Sequence, residues 1–173
     1  MNPDFNAYYT HQEYLTAELN KLDYTKPVKV LEFGTGDGSS SIFQSFANRY
    51  FNLMIISYES DYGWFINMSK KYPANNYHFH QITSWDELNG FVGNFDLAFV
   101  DAGPDFAARI KIIDSIKNYV KVIILHDYDF YNKGVIEDIF SVKKGSFFEK
   151  YLNEFTLKGH HEILPPTLIM TKR

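Results

Sequence analysis

Short apolar runs alternate with longer amphipathic stretches through most of the chain. Five of the runs have the length and the Val, Ile, Leu and Phe content of buried β-strands, at residues 28–33, 53–58, 77–82, 95–100 and 120–125. The stretches between them repeat apolar residues at helical spacing and predict helices over residues 39–50, 62–72, 84–88 and 106–119. This alternation predicts a parallel β-sheet with helices on both faces, joined by right-handed crossovers.

The two ends of the chain depart from this alternation. Residues 4–22 carry apolar side chains close to helical spacing, and Lys26-Pro27 interrupts the chain before the first strand. The tail has two strand-like segments, 155–163 and 167–170, which favours an antiparallel hairpin added at one sheet edge. We therefore expect a single domain over residues 1–173, with a helical cap at 1–26 and a core at 27–173.

Composition narrows the possible functions. The chain has 173 residues, of which 45% are hydrophobic, a net charge of −4 and no cysteine. The lack of cysteine excludes disulfides, thiolate catalysis and cysteine-ligated zinc. The acidic balance and the lack of a basic stripe do not favour a nucleic-acid partner. With no signal-like N-terminus and no apolar run of membrane length, we expect a soluble protein of the cytoplasm, without a membrane partner.

A glycine-rich loop between the first strand and the next helix is the most specific chemical signal. Gly34, Gly36 and Gly38 alternate with other residues, whereas dinucleotide folds use G-x-G-x-x-G and phosphate loops add a lysine. A pyrophosphate prefers a bare helix N-terminus, but here Glu32 precedes the loop and Asp37 lies inside it. The two acids therefore favour a ligand with a cationic or hydroxyl-rich part.

A second acid lies at the end of the second strand. Glu59 follows the loop at a distance typical of an acid that accepts hydrogen bonds from ribose hydroxyls. NAD and other adenosine ligands share that feature, so Glu59 alone does not select among them.

Together these motifs resemble the class I S-adenosylmethionine-dependent methyltransferases. Residues 30–38 are similar to the family's first motif, Glu59 to its ribose-binding acid, and residues 95–101 to its fourth motif, which ends in Asp101. The resemblance covers residues 27–128 by motif. It implies a Rossmann-like α/β sheet of seven strands, five of them parallel and the last two an antiparallel hairpin.

The resemblance also implies cofactor contacts. The backbone of Gly34, Thr35, Gly36, Asp37 and Gly38 would lie under the methionine part and the sugar of S-adenosylmethionine. Glu32 or Asp37 would face the ammonium group, Glu59 would hold the ribose, and Asp101 would also contact the cofactor.

The segment after the third strand would bracket the adenine. Trp85 would stack on the ring, next to Ser84, and Asp86 would serve as the adenine acid. The alternative is that Trp85 covers the core and Asp86 is an acid in the first turn of a helix.

Polar residues at the ends of strands four and five face the expected methyl group. In one interpretation Asp101 and Asp127, with His126 or Asp129, bind a divalent ion such as Mg²⁺ that activates a substrate hydroxyl. In the other, His126 or Asp101 acts alone as general base. Metal-dependent members of the family often follow the strand-four acid with His or Lys, whereas this chain has Ala102. Structural roles stay open as well: a turn cap for Asp101 and a core histidine for His126.

The other histidines are weaker candidates. His160 and His161 fall in the predicted edge hairpin, where a solvated position is the better interpretation. His78 and His80 share one strand face without a third ligand. His11 lies among Tyr8, Tyr9 and Tyr14 in the N-terminal helix, where it either lines a substrate pocket or packs in the core.

The sequence therefore predicts a methyltransferase whose acceptor is a hydroxyl of a small molecule or sugar. Positioning and a nearby base suffice for this reaction, because the methyl group of a sulfonium is already activated. Without large insertions, the substrate pocket is expected to be open, or completed by a second copy or a partner protein. The alternatives are a non-catalytic module that binds S-adenosylmethionine and, disfavoured by the loop spacing, a nicotinamide-dependent oxidoreductase.

Overall fold

The structure is a computed structural model that describes residues 9–88, 91–103, 106–128, 147–160, 162 and 165–173. Its strands are β1 (Val28–Phe33), β2 (Leu53–Glu59), β3 (Tyr77–Gln81), β4 (Phe95–Val100), β5 (Val120–His126), β6 (Phe155–His160) and β7 (Thr167–Lys172). Its α-helices are α1 (Gln12–Leu19), α2 (Asp37–Arg49), α3 (Tyr62–Lys71) and α4 (Phe106–Ile116). Short 3₁₀ helices cover Trp85–Glu87 and Phe147–Tyr151.

The strands form one seven-stranded sheet in the order β3-β2-β1-β4-β5-β7-β6. The first five strands pair in parallel, whereas β7 is antiparallel to both β5 and β6. The predicted fold class, with five parallel strands and an antiparallel C-terminal hairpin, is therefore confirmed. The order reverses between β1 and β4, and such a switch point is where open α/β sheets bind ligands.

Side chains of alternate residues in the central strands pack into two hydrophobic layers, one on each face of the sheet. Leu31 and Phe33 of β1 pack with α4 on one face of the sheet. Val28 and Val30 pack with α1 and α2 on the other face. Burial on both faces explains why these strands are nearly continuous apolar runs. It also confirms that helices cover both faces, while the prediction of one domain over the whole chain stays a prediction.

Several boundaries differ from the sequence prediction. The helix α4 ends at Ile116, three residues before the predicted end, and residues 117–119 form a turn into β5. The strand β7 extends beyond Met170 because Thr171 pairs with Val122 and Lys172 pairs with Phe155. Polar strand ends escape a pattern-based prediction because backbone pairing rather than burial holds them. None of the helices in the described ranges has both the length and the apolar character of a membrane span.

Candidate functional site

The glycine loop lies against the end of β4. Gly34 has a φ of +83°, and its N–H donates to the Tyr58 carbonyl at 2.9 Å. A Cβ at this position would lie 2.4 Å from the carbonyl oxygen of Asp101. Only glycine fits such a close approach at positive φ. Gly34 therefore brings the β1 loop and the Asp101 backbone together at the switch point.

Glu32 lies beneath the loop rather than on its surface. Its carboxylate is fully buried and accepts hydrogen bonds from Ser39 Oγ at 2.6 Å and Ser40 Oγ at 3.1 Å, and from the hydroxyls of Ser57 and Tyr77. These bonds join β1, α2, β2 and β3. The placement does not support the predicted contact between Glu32 and a ligand ammonium group. It assigns Glu32 to holding the loop from below.

Burial raises the pKa of Glu32 from 4.5 to about 7, although its four hydroxyl donors favour the charged form. The stabilisation contributed by the proton on Glu32 is therefore complete below about pH 4.5 and is lost as the pH rises through about 7. We expect the stability of the wild type, relative to Glu32→Gln, to fall by roughly 3 kcal/mol across this range. Urea unfolding at a series of pH values measures this difference, and a difference that does not change with pH would contradict the assignment.

Asp37 points away from the loop surface as well. Its carboxylate lies 2.7 Å from Lys71 Nζ and 2.7 Å from the Tyr72 hydroxyl, at the end of α3. Hydrogen bonds from Lys71 and then Tyr72 lower the pKa of Asp37. Asp37 thus clamps the first turn of α2 to α3, and the predicted contact with an ammonium group is not supported by its position.

Glu59 does reach the glycine loop. Its Oε2 accepts hydrogen bonds from the backbone N–H of Thr35 at 2.8 Å and from Thr35 Oγ1 at 2.9 Å. Its Oε1 accepts from the backbone N–H groups of Ser60 and Asp61 at 2.8 and 2.9 Å. The predicted ribose acid therefore lies at the switch point, and one of its oxygens already accepts a hydrogen bond from a hydroxyl group, that of Thr35.

A pocket of about 330 Å³ opens at this position. It is lined by Gly34, Thr35, Glu59, Asp61, Trp64, Asp101 and Gly103. The volume is within the range of about 300–1,000 Å³ that is usual for small-molecule sites. Four of these residues were predicted to contact the cofactor, and the structure brings them together around one opening.

Asp61 and Trp64 were not predicted from the sequence. Asp61 caps α3 by accepting a hydrogen bond from the backbone N–H of Trp64 at 2.7 Å. Trp64 donates its indole N–H to the Thr35 carbonyl and leaves 43% of its surface exposed. The available signal was the pattern Glu59-Ser60-Asp61, in which a helix-capping acid follows the ribose acid at the same edge of the sheet.

Arg109 braces the ends of β4 and β5 and was also missed. Its guanidinium is buried and donates to the carbonyls of Ala102, His126, Asp127 and Gly103 and to Asp101 Oδ1. The bond to Asp101 is 2.9 Å long. Every N–H donor group of the side chain is thus directed at the strand ends. Arg109 fixes the position of Asp101 relative to β5.

Arg109 also changes the interpretation of the predicted Mg²⁺ site. Its Nη1 lies 3.6 Å from Asp127 Oδ2 while its Nη2 holds Asp101 Oδ1. A guanidinium therefore already lies between the two carboxylates that were expected to share the ion. The prediction of Mg²⁺ at Asp101 and Asp127 is not supported, because this cation competes for the same oxygens. Asp129 lies outside the described residues.

Asp101 lines the pocket on the β4–β5 side, and His126 is buried next to it. His126 Nδ1 lies 3.3 Å from Asp101 Oδ2, a contact at ion-pair distance that does not meet the geometry of a well-aligned hydrogen bond. Burial acts to raise the pKa of Asp101, but His126 and the Arg109 guanidinium outweigh it and hold the pKa below its usual range. Asp101 is therefore charged at neutral pH. Asp127 has a φ of +56°, and its backbone N–H donates a hydrogen bond to the Pro166 carbonyl.

His11 packs against His126 from the N-terminal side. It is 2% exposed, its ring centroid lies 4.5 Å from that of His126, and Phe99 covers it at 4.7 Å. Burial, followed by the nearby His126, lowers the pKa of His11 to about 3, so the ring is neutral. The next residue, Gln12, donates to the Gly38 carbonyl at 2.8 Å and ties α1 to the glycine loop. His11 is thus buried beside His126 and is not among the residues that line the described pocket.

The predicted adenine segment lies away from the pocket. Trp85 packs against the core on the α4 face, and Asp86 lies 2.8 Å from Lys111 Nζ of α4. Ser84 caps the 3₁₀ helix by accepting from the Asp86 N–H at 3.2 Å. Their placement agrees with the alternative of a core-covering tryptophan and a first-turn acid. Adenine contacts of Ser84 and Trp85 stay a prediction.

The remaining histidines contribute nothing to the pocket. His78 and His80 are exposed on β3. His160 packs against Tyr14 instead of being solvated at the sheet edge, with the ring centroids 4.2 Å apart and the rings tilted by 33°. Tyr14 also donates to Glu162 at 3.1 Å. Tyr8 and His161 lie outside the described residues.

No protein-family model matches the sequence, and a search of the curated proteins finds no match. Among solved structures, human methyltransferase-like protein 13 in complex with S-adenosylhomocysteine (SAH) is similar with a TM-score of 0.63 and 15% identity, over 94% of this chain and 82% of that chain. An rRNA methylase from Streptococcus thermophilus is similar with a TM-score of 0.57 and 14% identity, over 98% of both chains.

A putative methyltransferase from Pseudomonas syringae is also similar, with a TM-score of 0.59 and 15% identity over 94% of this chain and 99% of that chain. These matches span nearly all of the sheet and its helices. With the strand order β3-β2-β1-β4-β5-β7-β6 and the glycine loop at its switch point, the chain has the class I S-adenosylmethionine-dependent methyltransferase fold.

Proposed function

We propose that this protein is a methyltransferase that binds S-adenosylmethionine in the pocket between Glu59 and Asp101. The observation that carries the proposal is the approach of the glycine loop to the β4 end, where a side chain at Gly34 would strike the Asp101 carbonyl. Because Gly34 has no side chain, the backbone of the loop is directly accessible from the pocket. A solved structure of the same fold contains SAH.

The residues of the pocket suit a sulfonium nucleoside. Three carboxylates, Glu59, Asp61 and Asp101, surround the opening, which favours a ligand with positive charge and hydroxyl groups over a pyrophosphate. Glu59 would hold the ribose by accepting hydrogen bonds from its hydroxyl groups in place of the one from the Thr35 hydroxyl. Trp64 offers an aromatic face at the rim.

The bound cofactor supplies an activated methyl group, so the protein needs to position an acceptor and accept a proton. Asp101 lines the pocket and is the candidate to accept that proton, and the buried His126 Nδ1 lies 3.3 Å from its Oδ2. Arg109 keeps Asp101 in place through its other oxygen. These residues support an oxygen acceptor, a hydroxyl group whose proton is removed as the methyl group transfers.

For the acceptor we propose a small molecule or a sugar. The three carboxylates around the opening repel a polyanionic chain, so they weigh against a nucleic-acid acceptor at this mouth. A second copy or a partner protein that completes the pocket is part of the proposal.

The matched control in an acceptor screen is Asp101→Asn, which keeps the shape of the side chain but not its charge. If turnover on an acceptor that the wild type methylates is unchanged in this variant, the proposed role of Asp101 is wrong.

Cofactor binding is testable through the two tryptophans of the chain. Trp64 lines the pocket, whereas Trp85 packs against the core. We expect SAH to change the fluorescence of the wild type and of Trp85→Phe, and to leave Trp64→Phe without a response. Calorimetry on the same proteins with SAH and with NADH checks binding independently of the signal.

The proposal fails if NADH binds and SAH does not, since that outcome favours the oxidoreductase. If SAH binds but no acceptor is methylated in a broad screen, the non-catalytic binding module is the better assignment. A fluorescence response that persists in Trp64→Phe and is lost in Trp85→Phe would move the site towards the segment after β3.

A further inference from the structure

Three potential metal ligands converge next to the pocket. His11 precedes α1, Asp101 follows β4 and His126 ends β5, and one donor atom from each lies within 4.8 Å of the other two. The two imidazoles are 2% and 5% exposed. The three residues are more than 100 positions apart at the extremes, so the fold rather than local sequence brings them together.

The proton on His126 is located by its neighbour Thr10. The Thr10 hydroxyl has one proton and lies 3.0 Å from the Pro165 carbonyl, which can only accept. His126 Nε2, also 3.0 Å from Thr10 Oγ1, must therefore be the donor in that second contact. In the neutral ring, Nδ1 then carries a lone pair and faces Asp101 Oδ2 at 3.3 Å. Two electron-rich atoms at this distance require a positive charge between them.

His11 decides what that positive charge is. Within the described part of the chain, neither ring nitrogen of His11 has a hydrogen-bond partner, and His126 Nδ1 has none either. Buried polar atoms in native structures are nearly always satisfied. A proton on His126 would explain the contact with Asp101 but would leave both nitrogens of His11 without a role. A metal ion satisfies His126 Nδ1 and one nitrogen of His11 together.

We propose that His11, Asp101 and His126 bind a divalent transition-metal ion such as Zn²⁺ or Fe²⁺. The ligands are one ring nitrogen of His11, His126 Nδ1 and Asp101 Oδ2. Two histidines and one carboxylate form a ligand set that such ions use while keeping positions open for other ligands. Thr10 and Arg109 orient His126 and Asp101 from behind, as outer partners of metal ligands do.

The surroundings are compatible with an added cation. Arg109 brings a positive charge, but its guanidinium contacts Asp101 Oδ1 and Asp127 Oδ2 and leaves Asp101 Oδ2 on the side of the histidines. The Asp101 side chain is 30% exposed and lines the pocket, so an ion has a path of entry. The metal site uses His11 in place of Asp127, and whether an ion binds does not depend on the proposed methyl transfer. With the ion bound, Asp101 Oδ2 would be a metal ligand and would not also accept the proton of an acceptor hydroxyl.

The test uses the full chain after treatment with a chelator and dialysis. We expect Co²⁺ alone to bind at one equivalent with visible absorption bands of nitrogen and oxygen ligation, and Zn²⁺ alone to displace it and raise the melting temperature. His11→Gln and His126→Gln are each expected to weaken Zn²⁺ binding at least tenfold. Thr10→Val keeps the shape of the side chain and is expected to weaken it by about 10–100-fold. His78→Gln, exposed on β3, is the matched control and is expected to bind as the wild type does.

The proposal is overturned if the wild type binds no Co²⁺ or Zn²⁺ at one equivalent, or if His11→Gln binds as tightly as the wild type. If His11→Gln or His126→Gln does not fold, the wild-type Co²⁺ spectrum and Thr10→Val decide the question. SAH titration of the metal-free protein is a separate measurement. A failed metal site therefore leaves the proposed function standing, and a failed SAH titration leaves the metal site standing.

Discussion

Replacing Arg109 with methionine is expected to lower the free energy of unfolding by about 3–5 kcal/mol. The variant keeps most of the apolar volume of the side chain but removes the donors to four carbonyl groups and to Asp101. The Asp101 carboxylate would then be largely buried without its guanidinium partner. Urea unfolding, followed by circular dichroism, measures the loss.

The matched control for Arg109 lies on the same helix. Lys111 is 61% exposed and pairs with Asp86, which is 67% exposed, so Lys111→Met is expected to change stability by less than about 1 kcal/mol. The double variant Arg109→Met/Asp101→Asn should recover part of the loss because the unpaired charge is gone. A loss below about 1 kcal/mol in Arg109→Met would show that the brace does not stabilise the strand ends.

Gly34→Ala is expected to cost about 2–5 kcal/mol of stability and to abolish detectable SAH binding. The added Cβ would lie 2.4 Å from the Asp101 carbonyl oxygen and 2.9 Å from Ala102 Cα, at a φ of +83°. Both contacts are to backbone atoms, so the loop and the β4 end have to separate. Thermal unfolding and SAH calorimetry measure the two effects.

Gly36→Ala separates folding from binding at the same loop. No atom lies within 4 Å of a Cβ placed at Gly36, and its φ of −166° is extended backbone. We expect this variant to fold with wild-type stability and to bind SAH more weakly, because the new methyl group projects into open space at the loop. If Gly34→Ala is as stable as the wild type, the close approach of the loop to Asp101 is not required.

The first five strands were predicted from hydrophobic patterning, most clearly β1, β4 and β5, which are buried along most of their length. In β1, Leu31 and Phe33 face one layer and Val30 the other, and Lys29 is the one exposed residue of the strand. The hairpin was predicted from two strand-like segments close together near the chain's end. The end of β7 at Lys172 was not predicted, because backbone pairing with Phe155 rather than burial sets that boundary.

The pocket was predicted in part. Gly34, Glu59 and Asp101 were identified because glycine spacing and acids at strand ends have direct physical meaning. The position of Glu32 does not support its predicted ligand contact, because a residue near the end of a strand can face either the loop or the core, and the sequence pattern does not say which. The four hydroxyl groups that donate to Glu32 come from three other elements, so no local sequence pattern indicates them.

Arg109 and His11 show why the rest of the site escaped prediction. Arg109 shares a helical face with Ile112, Ile113 and Ile116, and a cation on an apolar face was the available signal. Its acceptors lie on β4 and β5, which only the folded sheet brings together. His11 was named as a candidate, but its contact with His126 depends on how α1 packs against the sheet.

The most direct test of the account is a crystal structure of the full chain grown with SAH at saturating concentration. We expect density for SAH beside the Gly34–Gly38 backbone, with the ribose at Glu59, the nucleoside against Trp64 and the sulfur directed towards Asp101. Density at another surface, or an SAH-free pocket that instead takes up NADH, would contradict it.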